Sequence, residues 1–142
     1  VSGILAYKNG IGVEYMGYTP AKIPFISLNL NYSRQLLNPN QGYYLAPHVG
    51  FGIHGIETMK PYVELGFSAM AGKRWLYLGV DFDGYYEGTY DTFGSSINFG
   101  PRILAFKRIL IVPSVGIVYG KPDELLNHMM LPSHSLKTSF LF

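Results

Sequence analysis

The sequence predicts an all-β protein, a closed antiparallel up-and-down transmembrane β-barrel of about eight strands, formed by a single domain over residues 1–142. Three observations predict it. Runs of about 9 to 11 residues, enough for a tilted strand to cross a hydrocarbon layer, alternate apolar with small or polar side chains. Charged residues make up 14% of the chain and apolar ones 48%, whereas a soluble domain carries about 25% charged, so there is too little charge to coat a water-facing surface. The non-apolar face is built from Gly, Ser, Asn and Tyr, a poor solvent coat but a suitable crowded interior, which turns the apolar face outward.

The strands follow in order. "SGILAYK" precedes Asn9-Gly10 and has contiguous rather than alternating apolar residues. Asn-Gly signals a two-residue hairpin, and a bulge within one long first strand uses the same pair. "FISLNLNYSRQ" sets Ile26, Leu28, Leu30 and Tyr32 against Ser27, Asn29, Asn31 and Ser33, and "YYLAPHVGFGIHGI" sets Val49, Phe51 and Ile53 against His48, Gly50, Gly52 and His54. "PYVELGFSAMAG" sets Val63, Leu65 and Phe67 against Glu64, Gly66 and Ser68. "LYLGVDFDGYYEG" sets Leu76, Leu78, Val80 and Phe82 against Tyr77, Gly79, Asp81 and Asp83. "SINFGPRIL", "IVPSVGIVYG" and "SHSLKTSFLF" complete the series, with Phe99, Phe140 and Phe142 on the apolar side. Nine candidate strands can be marked, and because single-chain barrels have an even number, eight is expected; ten is the alternative if a further N-terminal strand precedes this chain.

The breaks differ in length. "GKRW" and "FKRI" read as tight basic turns, "EGTYDTFGS" and "GKPDELLNHMMLPSH" as longer loops. Short turns at one end and long loops at the other suit an outer-membrane barrel, provided the last strand runs toward the short-turn end. Trp75, Tyr86, Tyr90 and Tyr119 near strand ends are candidates for interfacial girdles.

Composition excludes other classes. With no cysteine there is neither a disulfide framework nor a thiolate metal site. A net charge of +2 without a basic run gives no footprint for nucleic acid. No apolar stretch is long enough for a membrane-spanning helix. The start lacks the pattern of a signal peptide, so the chain is expected to be mature or not exported. No His/Asp/Glu spacing of a zinc site and no phosphate loop appears, so no metal or cofactor is expected.

The inward face carries the chemistry. A two-residue turn at Lys73-Arg74 places Gly72 opposite Trp75, Glu64 opposite Asp83 and Gly66 opposite Asp81; a hairpin between Glu87 and Ser96 places Asp81 opposite Arg102. Facing side chains lie roughly 5 Å apart. The expected interior charge network is therefore Glu64, Asp81, Asp83 and Arg102, with His48 or His54 beside it. Buried like charges so close need a counter-charge, a cation or a shared proton. Leu76, Leu78, Val80, Phe82, Phe99, Phe140 and Phe142 are expected to face lipid.

"SLKTSFLF", ending in Phe142, resembles the terminal-strand signal of bacterial outer-membrane barrels. "KPYVELGFSAMAG" and "APHVGFGI" are similar to the Pro-Tyr-Val-x-x-Gly strands of small opacity-type and OmpA-like barrels, a resemblance spanning Phe25 to Phe142. It implies the bacterial outer membrane, contact with lipids and lipopolysaccharide and with other outer-membrane proteins, and a plugged interior in a structural or accessory role, as a lone barrel or a subunit of a larger complex. "GSSINFGPRI" is similar to a strand of the lipid A deacylases, which use a His-x-Ser-Asn element and a distant Glu. Here His134 directly precedes Ser135 and the Asn is missing; neighbours on a strand point to opposite faces, which counts against an enzyme. An outer-membrane lipid-modifying enzyme of the same architecture is kept as the first alternative, and a soluble lipocalin-like ligand-binding barrel with the apolar face inward as the second. The apolar "NHMML" segment is expected to be a loop that meets lipid or a partner.

Overall fold

In the computed structural model, residues 7–18, 26–38, 43–54, 60–73, 75–87, 92–120 and 129–142 are described, with several side chains at the strand ends outside that set. They form β1 (Asn9–Tyr18), β2 (Ile26–Arg34), β3 (Leu36–Asn38), β4 (Tyr43–His54), β5 (Lys60–Lys73), β6 (Leu76–Glu87), β7 (Thr92–Ala105), β8 (Ile109–Gly120) and β9 (Met129–Leu141). All pairings are antiparallel; besides sequence neighbours, β2 pairs with β4 and β1 with β9, and the β1–β9 pairing closes the sheet. Gln35, whose N–H donates to the Lys8 carbonyl, separates β2 from β3. Both strands pair with β4, so together they form one staggered wall and the barrel has eight.

Closure removes the unpaired edges that a lipid environment forbids. At the seam Gly10 lies opposite Leu141 and Tyr18 opposite Ser133. Asn9 and Gly10 sit inside β1, opposite Arg34 and Ser33, so the Asn-Gly pair makes no hairpin. A Cβ on Gly10 would meet the Ser33 hydroxyl at 2.8 Å; the glycine serves close strand approach rather than a turn.

Burial is inverted relative to a soluble protein. Asn29, Asn31, Glu64, Asn98, Arg102 and a series of serines are buried, while Leu30, Phe51, Leu65, Leu78, Phe99 and Val115 are exposed on the outside. This removes the lipocalin-like alternative, whose apolar residues would fill the interior. A small apolar cluster of Ala46, Met70, Tyr77, Leu110, Val112 and Leu141 plugs the lumen near the end where the chain terminates.

Connections are shorter on average at one end than at the other. Residues 39–42, 74–75 and 106–108 join strands at the end where β1 begins and β9 finishes; residues 19–25, 55–59, 88–91 and 121–128 join them at the other. The last strand therefore runs toward the short-turn end. Two loops are shorter than expected: β7 already begins at Thr92, and β9 takes Met129, Met130 and Leu131 of the "NHMML" segment into the wall, leaving Asn127 and His128 outside the described residues. Between Phe99↔Val115 and Ile103↔Ile111 the β7–β8 ladder is interrupted. Pro101 and Pro113 fall in that gap, and neither has an N–H to give the ladder.

Candidate functional site: the charged lumen

Five of the expected network residues are buried on the inward face: His48, Glu64, Asp81, Asp83 and Arg102. His54 ends β4, and its side chain lies outside the described set. The expected cross-strand partners differ from those observed. Lys73 pairs with Leu76, so the turn falls at 74–75, one residue later than expected, and Glu64 faces Tyr85, Gly66 faces Asp83 and Ser68 faces Asp81. Because β7 starts early, Asp81 faces Asn98 and Arg102 faces Tyr77. The offsets are two and four residues, both even, so every side chain keeps its face while its neighbour changes.

A glycine creates the central contact. His48 on β4, Gly66 on β5 and Asp83 on β6 lie in one row across three strands. With no side chain at Gly66, the imidazole and the carboxylate meet over it, and His48 Nε2 hydrogen-bonds Asp83 Oδ1. A Cβ at this position would lie 2.3 Å from Asp83 Oδ1 and 2.8 Å from His48 Nε2. Glu64, two residues back on the same face and wholly inaccessible to solvent, brings Oε1 to 3.1 Å from the same Nε2. Its other oxygen accepts from Asn29 Nδ2 at 2.9 Å. Asn29 leans over Gly50, where a Cβ would meet its amide nitrogen at 2.7 Å.

The second contact uses reach rather than register. Arg102 Nη2 lies 2.5 Å from Asp81 Oδ2, and Nη1 donates to the Gly100 carbonyl at 2.7 Å. The guanidinium passes over Gly79, where a Cβ would sit 3.1 Å from Arg102 Cζ. Ser68 donates to the other Asp81 oxygen. Thus the acids are not one cluster around Arg102: Asp81 is matched by arginine, whereas Glu64 and Asp83 share the histidine.

Two inward charges are missing from the sequence reading. Glu14 on β1 lies opposite Lys137 on β9 across the seam, and Glu14 is buried. The signal was present: Val13 and Tyr15 flank Glu14 as outward residues, and the outward Leu136 makes Lys137 inward. Neutral groups hydrogen-bond between these charges. Ser114 and Ser135 hydroxyls lie 2.5 Å apart, Ser133 donates to Asn98 Oδ1 at 3.0 Å, and the Tyr85 and Ser96 hydroxyls lie 2.8 Å apart.

The outward residues are Leu76, Leu78, Phe82, Phe99, Phe140 and Phe142, all exposed, with Val80 half-buried among them. Phe67 stacks on Phe82 at 5.1 Å. Trp75 and Tyr119 are exposed at opposite ends of the wall, and Tyr86 lies 4.9 Å from Phe93; Tyr90 lies outside the described residues. Ser135 is buried inside while His134 is outside, its ring 6.1 Å from that of Tyr15. A base and a nucleophile on opposite sides of a wall cannot exchange a proton.

Fold and interior together define a small closed eight-stranded β-barrel of the transmembrane type, with a polar, filled lumen and an apolar wall. Among solved structures, a de novo designed transmembrane β-barrel matches with a TM-score of 0.67 at 13% identity, covering 95% of each chain. Neisserial surface protein A matches with a TM-score of 0.52 at 12% identity, covering 96% of each chain. No family model matches the sequence, and no curated protein matches it.

Proposed function

We infer that this chain is an integral protein of the bacterial outer membrane, an opacity- or OmpA-like barrel whose plugged lumen serves a structural or accessory role. Its outer wall meets lipids and lipopolysaccharide and offers contacts to other outer-membrane proteins. The observation that carries this reading is the inverted burial: charged and amide side chains inside, Leu, Val and Phe outside. In water such a wall would be one continuous aggregation surface; in a bilayer it costs nothing.

The end asymmetry supports an orientation with the short turns and Phe142 facing the periplasm. That end also carries a basic and aromatic collar. Trp75, Phe106, Lys107 and Arg108 are exposed there, and the Arg108 guanidinium lies 5.3 Å from the Tyr7 ring and 5.9 Å from the Phe140 ring. Aromatic rings and cations of this kind sit at the headgroup level.

Solubility and electrophoresis test the reading. The purified chain should fold only with detergent or lipid present, and its folded form should migrate faster than the boiled form. A monodisperse folded protein in plain buffer would overturn it. Native purification from membranes should show whether companions travel with it.

A further inference from the structure

The inward charges do not cancel. Among the described residues the lumen holds four carboxylates, Glu14, Glu64, Asp81 and Asp83, against the two permanent cations Arg102 and Lys137, with His48 as the one further basic group. Arg102 serves Asp81. The His48 ring must serve both Asp83 and Glu64 with one nitrogen, and one N–H donates one proper hydrogen bond. Asp83 takes it. Glu64 Oε1, completely buried, is left with no hydrogen bond although it lies 3.1 Å from that nitrogen.

A second orphan points the same way. Glu14 Oε1 is buried and has no hydrogen-bond partner. Glu14 faces Asn29 across the β1–β2 ladder, and Asn29 donates to Glu64, so the two unsatisfied acids flank one amide. A buried carboxylate oxygen without a donor is costly, and here two occur on acids that flank Asn29.

We propose that His48 Nε2, Glu64 Oε1 and Asp83 Oδ1, which all lie within 4.8 Å of one another, form a divalent-cation site of the zinc class inside the lumen. One imidazole and two carboxylates are a donor set for such an ion and leave a position for a further ligand. A dication neutralises the two carboxylates and replaces the single shared proton, which leaves for solvent on binding. Asn29 orients Glu64 by holding its other oxygen, as outer partners of metal-ligating carboxylates do. The donors come from β4, β5 and β6, so no short sequence spacing betrays them, and the proposal departs from the expectation of no metal drawn from spacing.

The full chain, refolded in detergent with zinc and then desalted, should retain about one zinc per barrel, and its unfolding temperature should be higher in zinc than in EDTA. His48→Gln and Asp83→Asn should each weaken binding at least tenfold and abolish the thermal difference. His134→Gln, on the outer wall, should change neither. Cobalt keeps the test independent of variant folding: the cobalt-loaded native chain should show the intense visible absorption of a low-coordinate site. Substoichiometric zinc without a thermal shift, the weak spectrum of hydrated cobalt, or full binding retained by both lumen variants would each overturn the proposal. None of those outcomes touches the membrane assignment, which rests on the requirement for detergent.

Discussion

Arg102 is 1% exposed and, among the described residues, has one carboxylate partner, Asp81. Removing one member of a buried pair leaves the other charged and uncompensated, which costs about 3–5 kcal/mol. Arg102→Ala should lower the detergent or urea unfolding free energy by that order, and adding Asp81→Asn should recover part of the loss; strictly additive losses would mean that the pair is not coupled. Gly66 makes the sharper case. Gly66→Ala drives a methyl to 2.3 Å from the Phe82 carbonyl as well as into His48 and Asp83, a clash of roughly 1–3 kcal/mol. Gly84→Ala is the control, because its nearest neighbour is the Leu65 carbonyl at 3.7 Å and a residue with less chain freedom is neutral or stabilising there. Equal stability of the two variants would remove the close-packing role assigned to Gly66. Which glycine creates a contact was not legible in the sequence, since Gly66 and Gly84 both sit in alternating runs. It depends on what flanks the position on the two neighbouring strands.

At the scale of strands and turns, period-two alternation located the walls because it is a local property of each run. Register is not local: it is set by where each hairpin turns, and a turn misplaced by one residue moves every partner by two. Placing the turn at Lys73-Arg74 instead of at 74–75 therefore moved Glu64 from Tyr85 to Asp83, yet left it inside. The Asn-Gly pair left a hairpin and a bulge both open, and its glycine instead packs closely against Ser33 and Leu141 within β1. The β7–β8 turn offers a test of turn chemistry. Phe106 and Lys107 have φ of 49° and 66°, a left-handed conformation that costs a residue with a Cβ roughly 1–2 kcal/mol relative to glycine. Lys107→Gly should raise the unfolding free energy by about 0.5–1 kcal/mol, the part that remains after the added freedom of the unfolded chain is subtracted. A decrease in stability would show that the Lys107 side chain contributes more than the backbone strain.

For the whole molecule, the property that organises everything else is closure. An open sheet of these strands would present the unpaired N–H and C=O groups of β1 and β9 to hydrocarbon and would leave the four lumen acids in contact with lipid, each several kcal/mol too costly to persist. The seam must therefore form between the first and last walls, and it does so with Val13 opposite Thr138, both exposed on the outside. Cysteine is absent from the chain, so a cysteine pair placed there reports on closure alone. Directly opposed residues in an antiparallel pair have Cα atoms roughly 4.5–5.5 Å apart, within disulfide reach. Val13→Cys combined with Thr138→Cys should therefore oxidise almost completely in the detergent-folded protein and much more slowly in urea, where the ends of a chain this long seldom meet. The cross-linked barrel should also resist heat conversion better than its reduced form, because the bond ties together the two strands most distant in sequence. Oxidation at the same slow rate in folded and unfolded protein would mean that another strand stands between β1 and β9, the outcome a ten-stranded barrel would give.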